Sequence, residues 1–245
     1  MILALDTSSA ASAAVVDGVG AVLGRSRPLS DGRQARRLLE CVHEALTAAG
    51  VSLAAVDTVV CGLGPGTFTG LRIGIAAARA LAQGADLRLA GLPSLEALAG
   101  GLAAGEAGAS APCVVPLIDG RRDELFAAVY RTLPPAAGAP VPWPAVEPVV
   151  PLTVVPAGDL AAFLASWPGA VVGGDGALLH ADRLPPAVVH DPAVAAADAL
   201  MVARAFLAGS PAVTHGFAAT LPIYGREPDA VPRAAAPPTT GGGAP

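Results

Sequence analysis

The chain has 245 residues, of which 53% are hydrophobic and 4% aromatic, and its formal net charge is −5. A chain of this length and composition forms one large or two small domains with a sizeable core, which excludes global disorder. The negative charge and the scarcity of aromatic side chains argue against a protein that holds nucleic acid by itself. The chain contains no lysine, which excludes Schiff-base chemistry and a Walker-type phosphate loop.

Three widely separated cysteines, Cys41, Cys61 and Cys113, predict buried reduced thiols rather than a disulfide framework or a zinc site. No histidine pairs with another at helical spacing, so no metal site is predicted. No apolar stretch is long enough to span a bilayer, because Arg, Asp, Gly or Pro interrupts each one. The chain opens directly on an apolar strand, without the basic segment of a signal peptide. These features predict a soluble cytoplasmic protein without a membrane segment.

The first hundred or so residues predict the element order βββαβαβα. The predicted strands are 2–5, 13–16, 20–23, 57–62 and 87–91. The predicted helices are 33–49, 68–83 and a third that Ser94 is expected to cap. Gly50 stands where a C-terminal cap belongs, which places the end of the first helix.

A Gly/Ala-rich stretch at 100–111 resembles a linker, and the opening pattern returns after it. An apolar strand ending in Asp6 is followed by a polar turn and a second strand, and the same order recurs around Asp119. Self-similarity of this kind indicates a repeated unit. The sequence therefore predicts two α/β halves of the same kind, at 1–105 and 106–210, with the segment 210–225 rejoining the first half.

The second half contains fewer regular patterns. Residues 134–148 form a proline-dense insertion that is expected to hold no regular element. Further elements are predicted as helices over 158–166 and 193–207 and a strand over 170–173. Leu221–Tyr224 is either a last strand or an extended docking segment. Residues 226–245, rich in Pro, Ala, Thr and Gly, are predicted to be a disordered tail.

The run from Gly64 to Gly74 is the most informative motif. Gly64 and Gly66 allow a sharp turn from strand to helix around a proline, and Thr67 or Thr69 can cap the helix that follows. The exposed N–H groups of such a turn can hold an anion. The run lacks the lysine or second glycine motif of a phosphate loop, so a purely structural turn is favoured.

Within the predicted helix 68–83, Gly70, Gly74 and Ala78 fall at i, i+4 and i+8 and form a ridge without bulky side chains. Glycine inside a helix costs about 1 kcal/mol relative to alanine, so two on one face suggest a very close neighbour. That neighbour is either this domain's own sheet or a helix of another subunit. The pattern alone favours neither.

The residues Asp6, Thr7 and Ser8 resemble the first phosphate loop of actin-like ATPases. In active members of that superfamily, an acid here and an acid in the second domain hold a metal-bound nucleotide. Asp119 would be the second acid. The alternative, which is favoured, is that each aspartate bonds the amides of its own turn.

Four segments together, in the right order and at suitable separations, resemble the TsaB (YeaZ) family over roughly residues 1–225. The segments are Ile2–Ser8, Gly64–Gly74, Gly91–Ala99 and Leu221–Tyr224. The resemblance implies an α/β fold of two actin-like domains of the RNase H-like, ASKHA type. Each domain would be a mixed sheet flanked by helices.

The same resemblance implies a function. TsaB proteins are non-catalytic partner subunits of the complex that transfers threonylcarbamoyl to adenosine 37 of tRNA. The implied partners are a TsaD-type catalytic subunit and a TsaE-type ATPase, with tRNA bound only through the complex. A homodimer alone, and ATP or ADP at the interface with the partner subunit, are also compatible with the family; no intrinsic cofactor is expected.

The family's pairing surface includes the helix after the glycine turn. On that basis the predicted interface residues are Gly70, Leu71, Gly74, Ile75, Ala78 and Arg79. The competing hypothesis is an active ASKHA-fold nucleotide hydrolase or kinase that uses Asp6 and Asp119. Such an enzyme needs a second phosphate motif and an adenosine motif, for which only the short turn Gly173–Gly176 is a candidate.

Overall fold

The computed structural model describes residues 1–26 and 34–226, with the side chains of 34–36 excepted. The predicted tail therefore lies outside the described residues, apart from Arg226. No helix within the described ranges combines the length and the apolar character that crossing a membrane requires. The three cysteines are buried and free, as predicted.

The first half is a mixed sheet with the predicted order of elements. Its strands are β1 (Ile2–Asp6), β2 (Ser12–Val16), β3 (Val22–Arg25), β4 (Thr58–Gly62) and β5 (Arg88–Leu92). Its helices are α1 (Gln34–Ala49), α2 (Phe68–Gly84) and α3 (Ser94–Ala104). Strand β1 pairs antiparallel with β2 and parallel with β4. Strands β1, β2 and β4 are buried throughout, as apolar runs at the centre of a sheet should be.

The second half repeats this arrangement. Its strands are β6 (Val114–Arg121), β7 (Glu124–Leu133), β8 (Ala145–Pro156), β9 (Val171–Gly173) and β10 (Val189–His190). Its helices are α4 (Leu160–Ala165), α5 (Asp175–Leu179) and α6 (Ala199–Leu207). The spatial order β3-β2-β1-β4-β5 of the first sheet corresponds to β8-β7-β6-β9-β10 of the second, with parallel pairing at the same positions. The predicted pair of α/β units of the actin-like type is confirmed.

Helices cover both faces of each sheet. On the first sheet, α1 and α2 pack on the outer face and α6 on the inner face. On the second sheet, α3 packs on the inner face and α4 and α5 on the outer face. Helix α6, which the sequence placed in the second half, thus packs against β1, β2 and β4 of the first sheet. The other predicted bounds of the two halves stay a prediction.

Two sequence predictions around α3 are wrong. The supposed linker 100–111 begins inside α3, which continues to Ala104 with its apolar side chains buried. Ser94 is not the N-cap, because Pro93 occupies that position. The Ser94 hydroxyl instead donates to Asp6, 2.7 Å away, and accepts from the backbone N–H of Gly64.

Two further predictions, for the insertion and for α6, differ from the structure. The insertion 134–148 ends in a regular element, because β8 begins at Ala145. Strand β8 tolerates its prolines because it lies at the sheet's edge and pairs only with β7. The helix predicted over 193–207 begins only at Ala199, where the Asp198 side chain accepts from the N–H of Met201.

The last described segment returns to the first sheet. A short strand, β11 (Thr214–His215), pairs antiparallel with β5. Leu221–Tyr224 forms no strand, but the N–H of Ile223 donates to the carbonyl of Leu63 at 2.7 Å. Of the two alternatives for this segment, the structure shows the extended docking segment.

Candidate functional site

The turn after β1, residues Asp6–Ser9, holds the first acid of the predicted phosphate site. The Asp6 side chain is buried, and Asp6 as a whole is 1% exposed. One carboxylate oxygen accepts from the backbone N–H of Ser8, 2.8 Å away, and from the Ser8 hydroxyl. The other oxygen accepts from the Ser94 hydroxyl. Both oxygens are therefore engaged by groups of the same chain.

Burial sets the acidity of this carboxyl group. Desolvation raises the pKa of Asp6, and the hydrogen bonds from Ser8 and Ser94 lower it in part. A metal-bound phosphate would need the carboxylate to face an open space. The favoured alternative, an aspartate that bonds its own turn, is the one that the structure shows.

Three glycines make room for this turn. A Cβ at Gly62 would lie 1.8 Å from Asp6 Oδ2, and one at Gly66 would lie 2.6 Å from the Ser8 carbonyl oxygen. A Cβ at Gly74 would lie 2.2 Å from Thr7 Oγ1. Thr67 caps α2 by accepting from the N–H of Gly70. The glycine run is thus a structural turn packed against residues 6–8.

The predicted interface on α2 is wrong for five of its six residues. The residues Gly70, Leu71, Gly74, Ile75 and Ala78 are buried within the chain. The Thr7 hydroxyl donates to the carbonyl of Gly70 at 2.9 Å, which explains why this ridge has no bulky side chains. Helical spacing shows which residues share a face, but it does not show whether that face points inward.

The sixth residue, Arg79, is partly exposed and is held by the segment after β11. Its guanidinium donates to the carbonyl of Thr220 at 3.3 Å and lies 5.8 Å from the ring centroid of Phe217. Arg79 therefore anchors the returning chain at the side of α2.

The opposite side of α2 is exposed. We call this surface the α2 face; its residues are Phe68, Thr69, Arg72, Ala76, Ala80 and Gln83. At its N-terminal end, the Arg72 guanidinium carbon lies 3.8 Å from the Phe68 ring centroid, and Arg72 Nε donates to the Tyr224 hydroxyl at 3.0 Å. The Phe68 and Tyr224 rings are 5.0 Å apart. The sequence analysis missed this cluster, although the spacing of Phe68 and Arg72 by one helical turn could have indicated it.

The second predicted acid, Asp119, is also engaged. Its carboxylate accepts from the backbone N–H of Arg121 at 2.8 Å and forms an ion pair with the Arg121 guanidinium at 3.0 Å. Its own N–H donates to Asp175, whose pKa is raised by burial. Within residues 1–26 and 34–226, no group of three or more His, Cys, Asp or Glu side chains could hold a metal ion.

The candidate second motif, Gly173–Gly176, is packed against β6. A Cβ at Gly174 would lie 2.2 Å from the carbonyl oxygen of Leu117, and Gly174 has a φ of +107° that favours glycine. A Cβ at Gly176 would lie 2.8 Å from a methyl group of Leu125. The engaged carboxylates and this packed turn do not fit a metal-bound nucleotide.

Comparisons with known proteins place this geometry in a family. A sequence model described as "TsaD: tRNA N6-adenosine threonylcarbamoyltransferase" matches residues 30–138. The "tRNA threonylcarbamoyladenosine biosynthesis protein TsaB" of Escherichia coli K12 is 37% identical over 130 residues, which is 53% of this chain and 54% of that protein. An uncharacterised protein of Mycobacterium tuberculosis H37Rv is 36% identical over 170 residues, 67% of this chain and 75% of that protein. The structure titled "YeaZ from Pseudomonas aeruginosa" has a TM-score of 0.67 and 27% identity, over 91% of this chain and 98% of the other.

The chain belongs to the TsaB (YeaZ) family.

The family assignment agrees with the repeated actin-like fold. The TsaD model matches from the start of α1 into the residues after β7, so it includes α2 and Asp119. The alignment with the E. coli TsaB spans about half of each protein, whereas the likeness to the Pseudomonas YeaZ structure extends over nearly the whole of both chains.

Proposed function

We propose that this chain is a non-catalytic partner subunit in the formation of N6-threonylcarbamoyladenosine on tRNA. Two relatives, from E. coli and Haemophilus influenzae, are named as biosynthesis proteins for this nucleoside. The proposal that the chain is non-catalytic rests on one observation. The carboxylates of Asp6 and Asp119 already form hydrogen bonds or an ion pair with groups of the same chain. A TsaD-type subunit would supply the chemistry, and tRNA would be held through the complex.

The α2 face is the surface that we propose for pairing with the TsaD-type subunit. Thr69, Ala76 and Ala80 leave its centre flat, so that a facing helix can approach to about 8–10 Å between axes. Phe68 and Arg72 at its end are of residue types that are enriched at protein interfaces. A homodimer of the isolated chain would use the same face and would compete with the partner. A TsaE-type ATPase, and ATP or ADP at the interface, belong to the same proposal.

A charge at the centre of the α2 face tests the pairing. Ala76→Glu places a carboxylate where the facing helix would pack, and burying it unpaired costs several kcal/mol. Each 1.4 kcal/mol of lost binding free energy raises the dissociation constant about tenfold. Co-purification with the TsaD-type subunit of the same organism should therefore be lost. Ala162→Glu, at an exposed position of α4, is the matched control and should pair normally. Undiminished pairing by a folded Ala76→Glu protein would contradict this placement of the interface.

A further inference from the structure

The proline-dense insertion is a packed part of the fold. Val141 and Trp143 are each 6% exposed and belong to the core on the inner face of the first sheet. A Cβ at Gly20 would lie 2.0 Å from Val141 Cγ1, and one at Gly100 would lie 2.4 Å from Trp143 Nε1. The insertion is thus seated against two glycines that leave space for its side chains.

A cavity of about 150 Å³ lies beneath this insertion, between α3, the end of α6 and the start of β8. Its apolar walls include Trp143, Pro144, Val146 and Ala205. Glu96, in the first turn of α3, contributes a carboxylate to the lining. An apolar cavity of about this size accommodates a ligand such as benzene, with about six heavy atoms.

Glu96 is buried without a cation. The residue is 8% exposed, and the Ser210 hydroxyl donates to one of its oxygens. Within the described part of the chain, no positively charged group pairs with it. Buried glutamates are rarely found without such a partner. Burial raises the pKa of Glu96, and Glu96 together with burial raises the pKa of Tyr130.

A second buried polar group lies on the same sheet face as Val146, a residue of the cavity wall. The Thr132 hydroxyl is buried and forms no hydrogen bond within the described residues. Thr132 lies directly opposite Val146 in the antiparallel pair of β7 and β8, so their side chains point to the same face of the sheet. Thr132 is therefore a strand neighbour of the cavity wall, and its hydroxyl is not part of the lining.

We propose that this cavity binds a small organic cation, a primary ammonium group on a compact apolar body. The ammonium group carries three donors, one of which suits the second oxygen of Glu96, which lines the cavity. Its charge supplies the counter-ion that Glu96 lacks, and the apolar walls accommodate the rest of the ligand. The site is formed by the insertion and the inner helices, on a different part of the molecule from the α2 face.

The two tryptophans provide a direct test. The indole N–H resonances of Trp143, in the cavity wall, and Trp167, outside it, are followed by NMR during titration with isobutylammonium chloride. Isobutanol, which has the same number of heavy atoms and no charge, is the matched probe. We expect a saturable shift of the Trp143 resonance, an unchanged Trp167 resonance, and at least tenfold weaker binding of isobutanol.

Two variants distinguish the contribution of the Glu96 carboxylate to binding from the contribution of the cavity volume. Glu96→Gln keeps an oxygen that can accept from Ser210, so the fold should persist, while the preference for the ammonium over isobutanol should disappear. Ala208→Val narrows the cavity without changing Glu96 and should weaken both probes. Equal binding of both probes to the unaltered protein would overturn the proposal in favour of a purely apolar cavity. An unresponsive Trp143 resonance would overturn it in favour of a cavity that holds only water.

Discussion

Substitution of Gly74 by alanine tests the internal role of the glycine ridge. The added Cβ would lie 2.2 Å from Thr7 Oγ1 and 3.1 Å from Thr7 Cγ2. Rotation of the threonine side chain would move the hydroxyl away from the added Cβ, but it would break the hydrogen bond to the Gly70 carbonyl. Since Thr7 is 1% exposed, neither its hydroxyl nor its methyl group can move into solvent.

The expected loss of stability in the Gly74→Ala protein is the difference between two opposing effects. Overpacking in a core costs about 1–3 kcal/mol. Alanine is the better helix former, which offsets up to about 1 kcal/mol of this cost. In a chain of this size, each kcal/mol shifts the melting temperature by about 2–4 °C. Gly74→Ala should therefore lower the melting temperature by several degrees, and Gly74→Leu should lower it further.

Gly84→Ala is the matched control, because Gly84 ends the same helix and its Cβ would meet no atom within 4 Å. This variant should melt at or above the temperature of the unaltered protein. Combining Gly74→Ala with Thr7→Ala should recover part of the loss, with a coupling of about 0.5–3 kcal/mol between the two sites. A Gly74→Ala protein that melts no lower than the unaltered protein would refute the internal packing of the ridge.

Three further predictions concern buried side chains, each measured by unfolding experiments. Because burial raises the pKa of Asp6, the folded state binds its proton more tightly than the unfolded chain, so this group lowers stability as pH rises from the ordinary aspartate pKa through the raised one. Asp6→Asn should make this decline of stability with pH less steep, and an unchanged pH dependence would contradict the raised pKa of Asp6. Ser94→Ala should cost about 1–3 kcal/mol, because it leaves one carboxylate oxygen of Asp6 and the N–H of Gly64 without a partner; no loss would mean that the hydroxyl is dispensable. Trp143→Ala should cost about 3–5 kcal/mol and Trp167→Ala less, since Trp167 is only partly buried; the reverse order would show that the insertion is loosely attached.

The repeated architecture could be predicted from the sequence because it follows from local patterns. Buried strands such as β1 and β6 appear as continuous apolar runs, and each is followed by an aspartate and a polar turn. Apart from the edge strand β8, the short helix α5 and the two-residue strands, the main elements were predicted with the correct type, with differences of a few residues at most ends. The residue types predicted a helix cap at Thr67 or Thr69, and the structure shows that Thr67 is the cap.

The sequence predictions were wrong where contacts between residues distant in sequence determine the structure. The glycine ridge of α2 faces Thr7, which is distant in sequence, so no local pattern showed that it points inward. Strand β8 contains prolines that predict irregular structure, yet its edge position leaves their missing N–H groups without consequence. The tryptophan of the insertion is buried against Gly100, which also depends on a distant contact.

The formation of the modified nucleoside by purified components tests the central claim most directly. A TsaD-type subunit, a TsaE-type ATPase, tRNA and the threonylcarbamoyl donor are combined with each variant of this chain, and the nucleoside is quantified by mass spectrometry. The account predicts full product with folded Asp6→Asn and Asp119→Asn proteins and loss of product with Ala76→Glu. Loss of product with either aspartate variant while it still pairs with the partner, or full product with Ala76→Glu, would contradict a non-catalytic subunit that acts through the α2 face.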